Sequence, residues 1–357
     1  MQEPLRTPRP RISDVARLAG VSVASVSRVL NDTDAVGDAT RAKVLEAVRS
    51  LNFSIDQRAR ALSRQRSETL GIIVADVANP FTAQVLHAIE IVARRAGYNL
   101  LLGNSREDAA RERDNCEAML AQRIDGVIIL PVTRSGAALL PLLAHDVPVV
   151  CLDRYVEDVD LDAVAVDNVA AGAIAAATLI EEGHVRLGVI AAGTTTVGRD
   201  RLAGFCAEVE RRGVALPEHA IRIGDLTLES GHEHALALCS IADGPTALFV
   251  QNHPMALGAL LALRELGLRV PQDVSLIAFD DPPWAQLLEP ALTTLRQPTD
   301  LLGSTAAEML LERLRRRHDG PTRRLVFTPE LVVRRSVGQP NATARRNLGS
   351  SPNHCQS

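Results

Sequence analysis

The chain has 357 residues, enough for two or three domains with sizeable cores, and its 46% hydrophobic and 23% charged residues are the balance of an ordinary globular protein. No apolar run reaches the ~18 residues of a membrane span, and Met1 to Pro10 carry basic side chains with no apolar core behind them, so neither a membrane protein nor a secretory leader is expected. The net charge of −4 hides a division: residues 1–66 hold 12 Lys/Arg against 7 Asp/Glu, and the remainder holds 27 against 36. A basic head on an acidic body implies that only the head meets a polyanion.

The head reads as three short helices. Ile12, Val15, Ala16 and Ala19 fall at helical spacing on one face. Gly20 then supplies the left-handed φ that a tight turn between helices needs. Ser22 is a good N-cap for a second helix facing inward through Val26, Val29 and Leu30. After the polar stretch Asn31 to Asp38, a third helix is expected from Thr40 to Leu51, with Val44, Leu45, Val48 and Leu51 on its inner side. Helix, glycine turn, helix, loop, helix is the helix-turn-helix plan.

Residues 56–67 are Arg-rich around Ala59, Ala61 and Leu62 and hold too little apolar surface to stay folded alone, so they read as a linker that orders on binding. From Thr69 onward, β-type runs alternate with helical stretches: Leu70–Ala75, Leu100–Leu102, Val127–Leu130, Val147–Leu152, Leu187–Ala191, Ala247–Val250 and Val274–Phe279. Such alternation means parallel sheets with crossover helices, and its extent calls for two lobes. The tail after Gln339 is polar and aperiodic and is expected to be disordered. Five scattered cysteines, Cys116, Cys151, Cys206, Cys239 and Cys355, lack CxxC spacing; they read as small buried hydrophobes in a reducing cytoplasm.

Several motifs together give the chain a family likeness. They are Asp14-Val15-Ala16, Ala19-Gly20-Val21-Ser22, Val26-Ser27-Arg28-Val29-Leu30-Asn31, Thr40-Arg41, Ala59-Arg60-Ala61-Leu62 and Asn79-Pro80-Phe81. Further on come Asp125-Gly126, Val166-Asp167-Asn168, Glu182-Gly183-His184, Arg201-Leu202-Ala203-Gly204-Phe205, Phe279-Asp280-Asp281 and Leu292-Thr293-Thr294. Over roughly residues 11–338 the chain resembles the lactose-repressor/galactose-repressor (LacI/GalR) family of bacterial transcription regulators. The resemblance implies an N-terminal all-α helix-turn-helix domain (1–55), a hinge helix (56–67) and an α/β two-lobed, periplasmic-binding-protein-like body of two doubly wound parallel sheets (68–338). The N-lobe would take about 68–166 and 298–325, the C-lobe about 167–297 and 326–338, leaving 339–357 as the tail.

By the same resemblance, the second helix enters the major groove of operator DNA and positions 23, 24 and 28 select bases. Arg28 suits a bidentate contact to guanine, while Val23 and Ala24 offer only apolar contact to thymine methyls. Ser25 and Ser27 lie close to these base-reading positions, Ser22, Ser25 and Asn31 fit phosphate contacts, and Arg60 flanks Leu62, which the family wedges into the minor groove at the operator centre. Ile55-Asp56 stands where a Pro-Asn pair is common, and Gly37 stands where Ser is usual before the third helix. The expected partner is a pseudo-palindromic double-stranded operator read by a homodimer, because the tail holds only Leu348 and cannot form a leucine-heptad tetramer helix.

In the body, the resemblance places a small-molecule effector between the lobes, held by Asn79, Phe81, Asp153, Asp167, Arg201, Asn252, Asp280 and Gln297. Carboxylates, amides, an arginine fork and one aromatic face suit a sugar, so a repressor of carbohydrate-related genes is expected; the alternative is a nucleobase or other non-sugar corepressor, as in the related purine repressor. In a chain with one Trp, two Tyr and six Phe, Trp284, four residues past Asp280, is a candidate stacking platform. His253 replaces the family's usual aspartate after Asn252, which would make an acidic sugar or sugar phosphate more acceptable. A transport-type binding protein would lack the helix-turn-helix. An enzyme would need a phosphate loop, nucleophile elbow or metal cluster, and the chain has no GxGxxG, GxxxxGK, GxSxG or HExxH. No catalytic residue, metal site or cofactor is therefore expected; His232 and His234 would point to different helix faces.

Overall fold

The computed structural model describes residues 10–30, 36–51, 53, 67–193, 195–241, 243–316 and 320–341. Asn31, the Ile55-Asp56 pair, the hinge residues Arg60 and Leu62, and the tail beyond residue 341 lie outside these residues. The chain divides into two compact units between Ser67 and Glu68.

The first unit consists of α1 (Ile12–Ala19), α2 (Val23–Leu30) and α3 (Asp38–Ser50). Val15 and Ala16, Val26 and Val29, and Val44 and Ala47 bring one apolar pair per helix into a common core. Gly20 ends α1 at φ 65°, and the amides of Gly20 and Val21 close onto the carbonyls of Arg17 and Ala16. Ser22 caps α2 by accepting from the Ser25 amide at 3.0 Å. Helix α3 begins two residues before the expected Thr40, on Gly37, which provides no side-chain cap. Leu45 is exposed and Ala47 occupies the core position in its place. The apolar face is thus rotated from the one that leucine content alone suggested.

The second unit begins with β1 (Thr69–Val74), α4 (Pro80–Arg95), β2 (Asn99–Asn104), α5 (Ala109–Ala121), β3 (Gly126–Ile129), α6 (Leu140–Leu143), β4 (Val149–Asp153) and β5 (Asp162–Val166). It continues through α7 (Asn168–Glu181), β6 (Leu187–Ala191), α8 (Thr196–Arg211), β7 (Ile221–Ile223), α9 (Leu228–Cys239), β8 (Ala247–Val250), α10 (His253–Glu265) and β9 (Ser275–Phe279). The last elements are β10 (Thr293–Arg296), α11 (Thr299–Arg316), β11 (Arg324–Phe327) and β12 (Glu330–Val332). They form two six-stranded sheets in the orders β11-β5-β4-β3-β1-β2 and β12-β10-β9-β8-β6-β7. Adding five to the numbers of β1–β5 reproduces the order of β6–β10, so the lobes are structural repeats. They differ at the last strand: β11 pairs parallel with β5, whereas β12 pairs antiparallel with β10.

The central strands β3, β4, β6, β8 and β9 are buried along their whole length, which is why they read in sequence as unbroken apolar runs. The chain crosses between lobes after β5, after β10 and between β11 and β12. Strand β11 carries the N-lobe sheet to Phe327, two residues past the boundary expected at 325. Arg134, in the loop after β3, pairs with Glu157 of its own lobe and reaches Asp200 on α8 of the other at 3.2 Å.

His184 of the Glu-Gly-His motif is buried between Thr246, Ser275 and the Gly338 carbonyl, 2.8 Å from Nε2. It ties the end of the described chain to the C-lobe, and burial holds its pKa below the ordinary 6.5. The Arg201–Phe205 motif is explained by one helix pair. Phe205 stacks on Phe249 at 5.5 Å in the core, and Gly204 lets α8 touch α7: an added Cβ would lie 1.9 Å from the Val169 carbonyl oxygen. Gly172 is equally close to the Arg201 carbonyl from the other side. Gly204→Ala should therefore force the helices apart, at a cost of about 1–3 kcal/mol, and lower the thermal midpoint by several degrees; an unchanged midpoint would show that the contact is not tight.

Candidate functional site

In the first unit, α2 presents Ser22, Val23, Ala24 and Arg28 to the outside, with Ser25 and Ser27 half-buried beside them. Val23 is 46% exposed, an apolar side chain held out of the unit's own core at the start of the helix. Helical spacing sets Arg28 one turn beyond Ala24 on the same exposed face. The Ser22 and Ser25 hydroxyls lie 2.9 Å apart, so the two are bonded to each other as well as to the cap.

In the second unit, the C-terminal ends of both sheets open onto one cleft of about 640 Å³. Each sheet reverses its strand order at β1/β3 or β6/β8, and the crevice at that switch is where open α/β sheets bind ligands. Asn79 caps α4, accepting from the Phe81 amide at 2.9 Å, and this turn delivers the Phe81 ring to the wall. Asp153, the last residue of β4, and Asp280, the first after β9, occupy equivalent places in the two lobes and share a left-handed backbone, with φ 65° and 73°. The Arg154 amide closes onto the Leu152 carbonyl at 2.7 Å, a three-residue turn that swings Asp153 into the cleft. Arg106, Glu107 and Leu226, also on the wall, adopt positive φ as well. Side chains rarely take up this conformation, and it concentrates where a ligand must be met at close range.

Arg201 is the most constrained group. It is 5% exposed, and its guanidinium lies 3.4 Å above the Phe279 ring. Nε donates to Asn168 Oδ1 at 2.7 Å and Nη1 to the Gln251 carbonyl at 2.9 Å. Burial lowers its pKa to about 10, which leaves it cationic at neutral pH. Asp280 accepts from Gln297 Nε2 at 2.7 Å and faces His253 Nδ1 at 3.5 Å. Burial pushes the Asp153 carboxyl up, against the opposing pull of Arg154 and Arg201. Asn252 caps α10 through Met255 and anchors Leu226 through its amide.

Of the residues expected at the effector site, Asn79, Phe81, Asp153, Arg201, Asn252, His253, Asp280 and Gln297 line this cleft. Two do not. Asp167 caps α7 by accepting from the Ala170 amide at 2.8 Å and lines an adjoining recess of about 200 Å³; its neighbour Asn168 is the one that reaches Arg201. Trp284 is carried past the cleft by Pro282 and Pro283 and packs, half-buried, on the C-lobe core, so the stacking platform expected from its rarity is absent. Arg154, Glu107, Asp76 and Asp225 line the cleft without having been anticipated. Arg154 directly follows Asp153, a signal that was available; Glu107 meets Arg154 from 47 residues away, and no local pattern shows that. His253 was expected to favour an acidic ligand, but it sits against Asp280, and five carboxylates face only three arginines around the cleft. His232 and His234 bond separately to Glu265 and the Ile223 carbonyl.

The comparisons with known proteins agree with this division. Residues 11–55 match the bacterial regulatory proteins of the lacI family, and residues 176–337 match a periplasmic binding protein-like domain. The HTH-type transcriptional repressor PurR of Photobacterium profundum is 36% identical over 331 residues, covering 91% of this chain and 98% of the relative. The chain belongs to the LacI family. It is a DNA-binding transcriptional repressor with an effector domain, and proteins of this family are not enzymes. A lac repressor dimer bound to operator and the anti-inducer ONPF superimposes with a TM-score of 0.83 at 28% identity, over 92% of this chain and 99% of that one. The transcriptional regulator CelR in complex with cellobiose gives 0.69 at 31% identity, over 92% and 100%. Among the described residues no helix is long and apolar enough to cross a membrane.

Asp280→Asn keeps one oxygen to accept from Gln297 but removes the charge and turns the oxygen that faces His253 into an NH2 donor. Asp280→Asn should weaken binding of the first ligand found to saturate the cleft by at least about tenfold, or ~1.4 kcal/mol, whereas Trp284→Phe should leave it unchanged. Calorimetric titration of both variants checks the pair, and the reverse order would place the ligand elsewhere.

Proposed function

We propose that this repressor acts in the bacterial cytoplasm as a homodimer on a pseudo-palindromic operator and senses a nucleobase or similar non-sugar metabolite as corepressor. The similarity to PurR over nine-tenths of the chain carries this reading and displaces the carbohydrate expectation. The chemistry of the cleft is compatible with it. Phe81 covers one face of a planar ring, while Asp280, Gln297 and Arg201 offer the mixed acceptors and donors that the edge of a heterocycle needs.

A sugar is the second reading. Among the described residues Phe81 is the only Phe, Tyr or Trp on the wall, so no second benzenoid or indole ring faces it across a base, and the CelR structure of similar fold holds cellobiose. In either case the ligand shifts the operator equilibrium only by its difference in affinity for the two states of the body.

The deciding experiment selects an operator from random duplexes and then measures its affinity for the full-length protein with hypoxanthine, guanine, ribose or cellobiose present. Saturable tightening by a base supports the corepressor reading. Release by a sugar, with the bases inert, replaces it with the carbohydrate one.

A further inference from the structure

We infer that Glu107 sets the charge of the effector: by filling the Arg154 guanidinium with both its carboxylate oxygens, it occupies the anion site that this arginine would otherwise form. The cleft then takes an uncharged, donor-rich molecule and rejects its phosphorylated or carboxylated counterpart. The inference rests on the cleft being the effector site.

Arg154 follows Asp153 at the end of β4 and is 8% exposed. Its Nη1 donates to Glu107 Oε2 at 2.7 Å and its Nη2 to Oε1 at 2.6 Å, with Nη1 also reaching the Pro131 carbonyl at 3.3 Å. Nε lies 3.7 Å from Asp153 Oδ2. Two parallel N–H bonds from one guanidinium are how arginine grips a phosphate or carboxylate ligand, and here the protein's own carboxylate fills the grip.

The position of Glu107 is built into the loop after β2. Arg106 and Glu107 are consecutive non-glycine residues with φ of 51° and 55°, and the amides of Ser105 and Glu107 bond back to Val74 and Ala75 at the end of β1, at 2.8 and 2.9 Å. Two adjacent residues in a sparsely populated region are retained only where the surroundings impose them.

Among the described residues the other cations around the cleft offer no second two-pronged grip of the Arg154 kind: Arg201 has only one edge left open. Arg201 spends Nε and Nη1 on Asn168 and Gln251 and its face on Phe279, while His253 faces Asp280. Arg106 is exposed and fixes no anion in the interior. An anionic ligand would have to displace Glu107 and would still meet the carboxylates of Asp153 and Asp280. Two acceptors on the wall, Asp153 Oδ1 and Gln297 Oε1, are buried with no hydrogen-bond partner among the described residues, which favours a ligand bearing N–H or O–H groups.

The test uses full-length wild type and Glu107→Gln, which keeps the side chain's length but removes its charge. Both are titrated calorimetrically with inorganic phosphate and with matched pairs, guanine against GMP and ribose against ribose 5-phosphate. Wild type should show no saturable phosphate binding at millimolar concentration. E107Q, with a native circular dichroism spectrum, should bind phosphate at least about tenfold more tightly, and the gain should vanish in E107Q/R154Q, which excludes uptake by the basic N-terminal unit. A folded E107Q with no gain, or one whose gain survives loss of Arg154, overturns the inference. If E107Q does not fold, the matched pairs in wild type decide: a phosphorylated member bound as tightly as its parent overturns it, and rejection of that member supports it. A phosphate gain in E107Q while wild type ignores every base and sugar would leave the charge filter standing and refute the effector class proposed above.

Discussion

The body is arranged around one buried cation. Taking the Arg201 guanidinium out of water costs several kcal/mol unless each of its faces is met. The C-lobe meets them with Asn168 from α7, the Gln251 carbonyl from the end of β8, and the Phe279 ring from β9. These partners come from widely separated parts of the chain, so the arginine can be satisfied only when the lobe is assembled. The close approach of α7 and α8 through Gly172 and Gly204 brings Asn168 within reach. The contacts that satisfy this cation thus also shape the wall of the cleft.

The second constraint is symmetry. Each lobe carries an aspartate with left-handed backbone at the end of its fourth strand, Asp153 as the last residue of β4 and Asp280 directly after β9, and both line the same cleft. The lobes then diverge in what stands behind that aspartate. In the N-lobe the next residue is Arg154, locked by Glu107; in the C-lobe it is Asp281, locked by Arg334, which donates Nη1 and Nη2 to its two carboxylate oxygens at 2.6 and 2.9 Å. Arg334 lies just after β12, beyond the last crossing between lobes, so the C-lobe aspartate is braced by the segment that returns from the N-lobe. With both ion pairs closed on themselves, the polar groups left open to the cleft are Asp153, Asp280, Gln297 and the remaining edge of Arg201.

Much of this was legible in the sequence where local physics decides the outcome. The Gly20 turn, the Ser22 cap and the fully buried strands all declare themselves through φ preference, capping chemistry and apolar runs. Strands β5, β7, β10, β11 and β12 escaped because they are short, lie toward the sheet margins, or carry polar residues such as Asp162, whose charge is taken up by Arg313 from α11. Within the cleft, the family resemblance located eight residues of the wall. It misplaced Asp167 by a single residue, since its capping role is local while the partner that Arg201 needs is the adjacent side chain. Trp284 was singled out by composition, which says nothing about the face of a turn. The Glu107–Arg154 pair depends on the loops after β2 and β4 meeting across the ends of β1 and β3, which lie between those strands in the sheet, and no periodicity encodes that.

The central claim is that one small molecule is gripped by both lobes at once through their strand ends. Hydrogen exchange of the full-length protein, with and without the saturating effector, tests it most directly. The account predicts simultaneous slowing at Glu107 and Asp153–Arg154 in the N-lobe and at Gln251–His253 and Asp280–Asp281 in the C-lobe. Slowing confined to one lobe, or centred away from these strand ends, would contradict it.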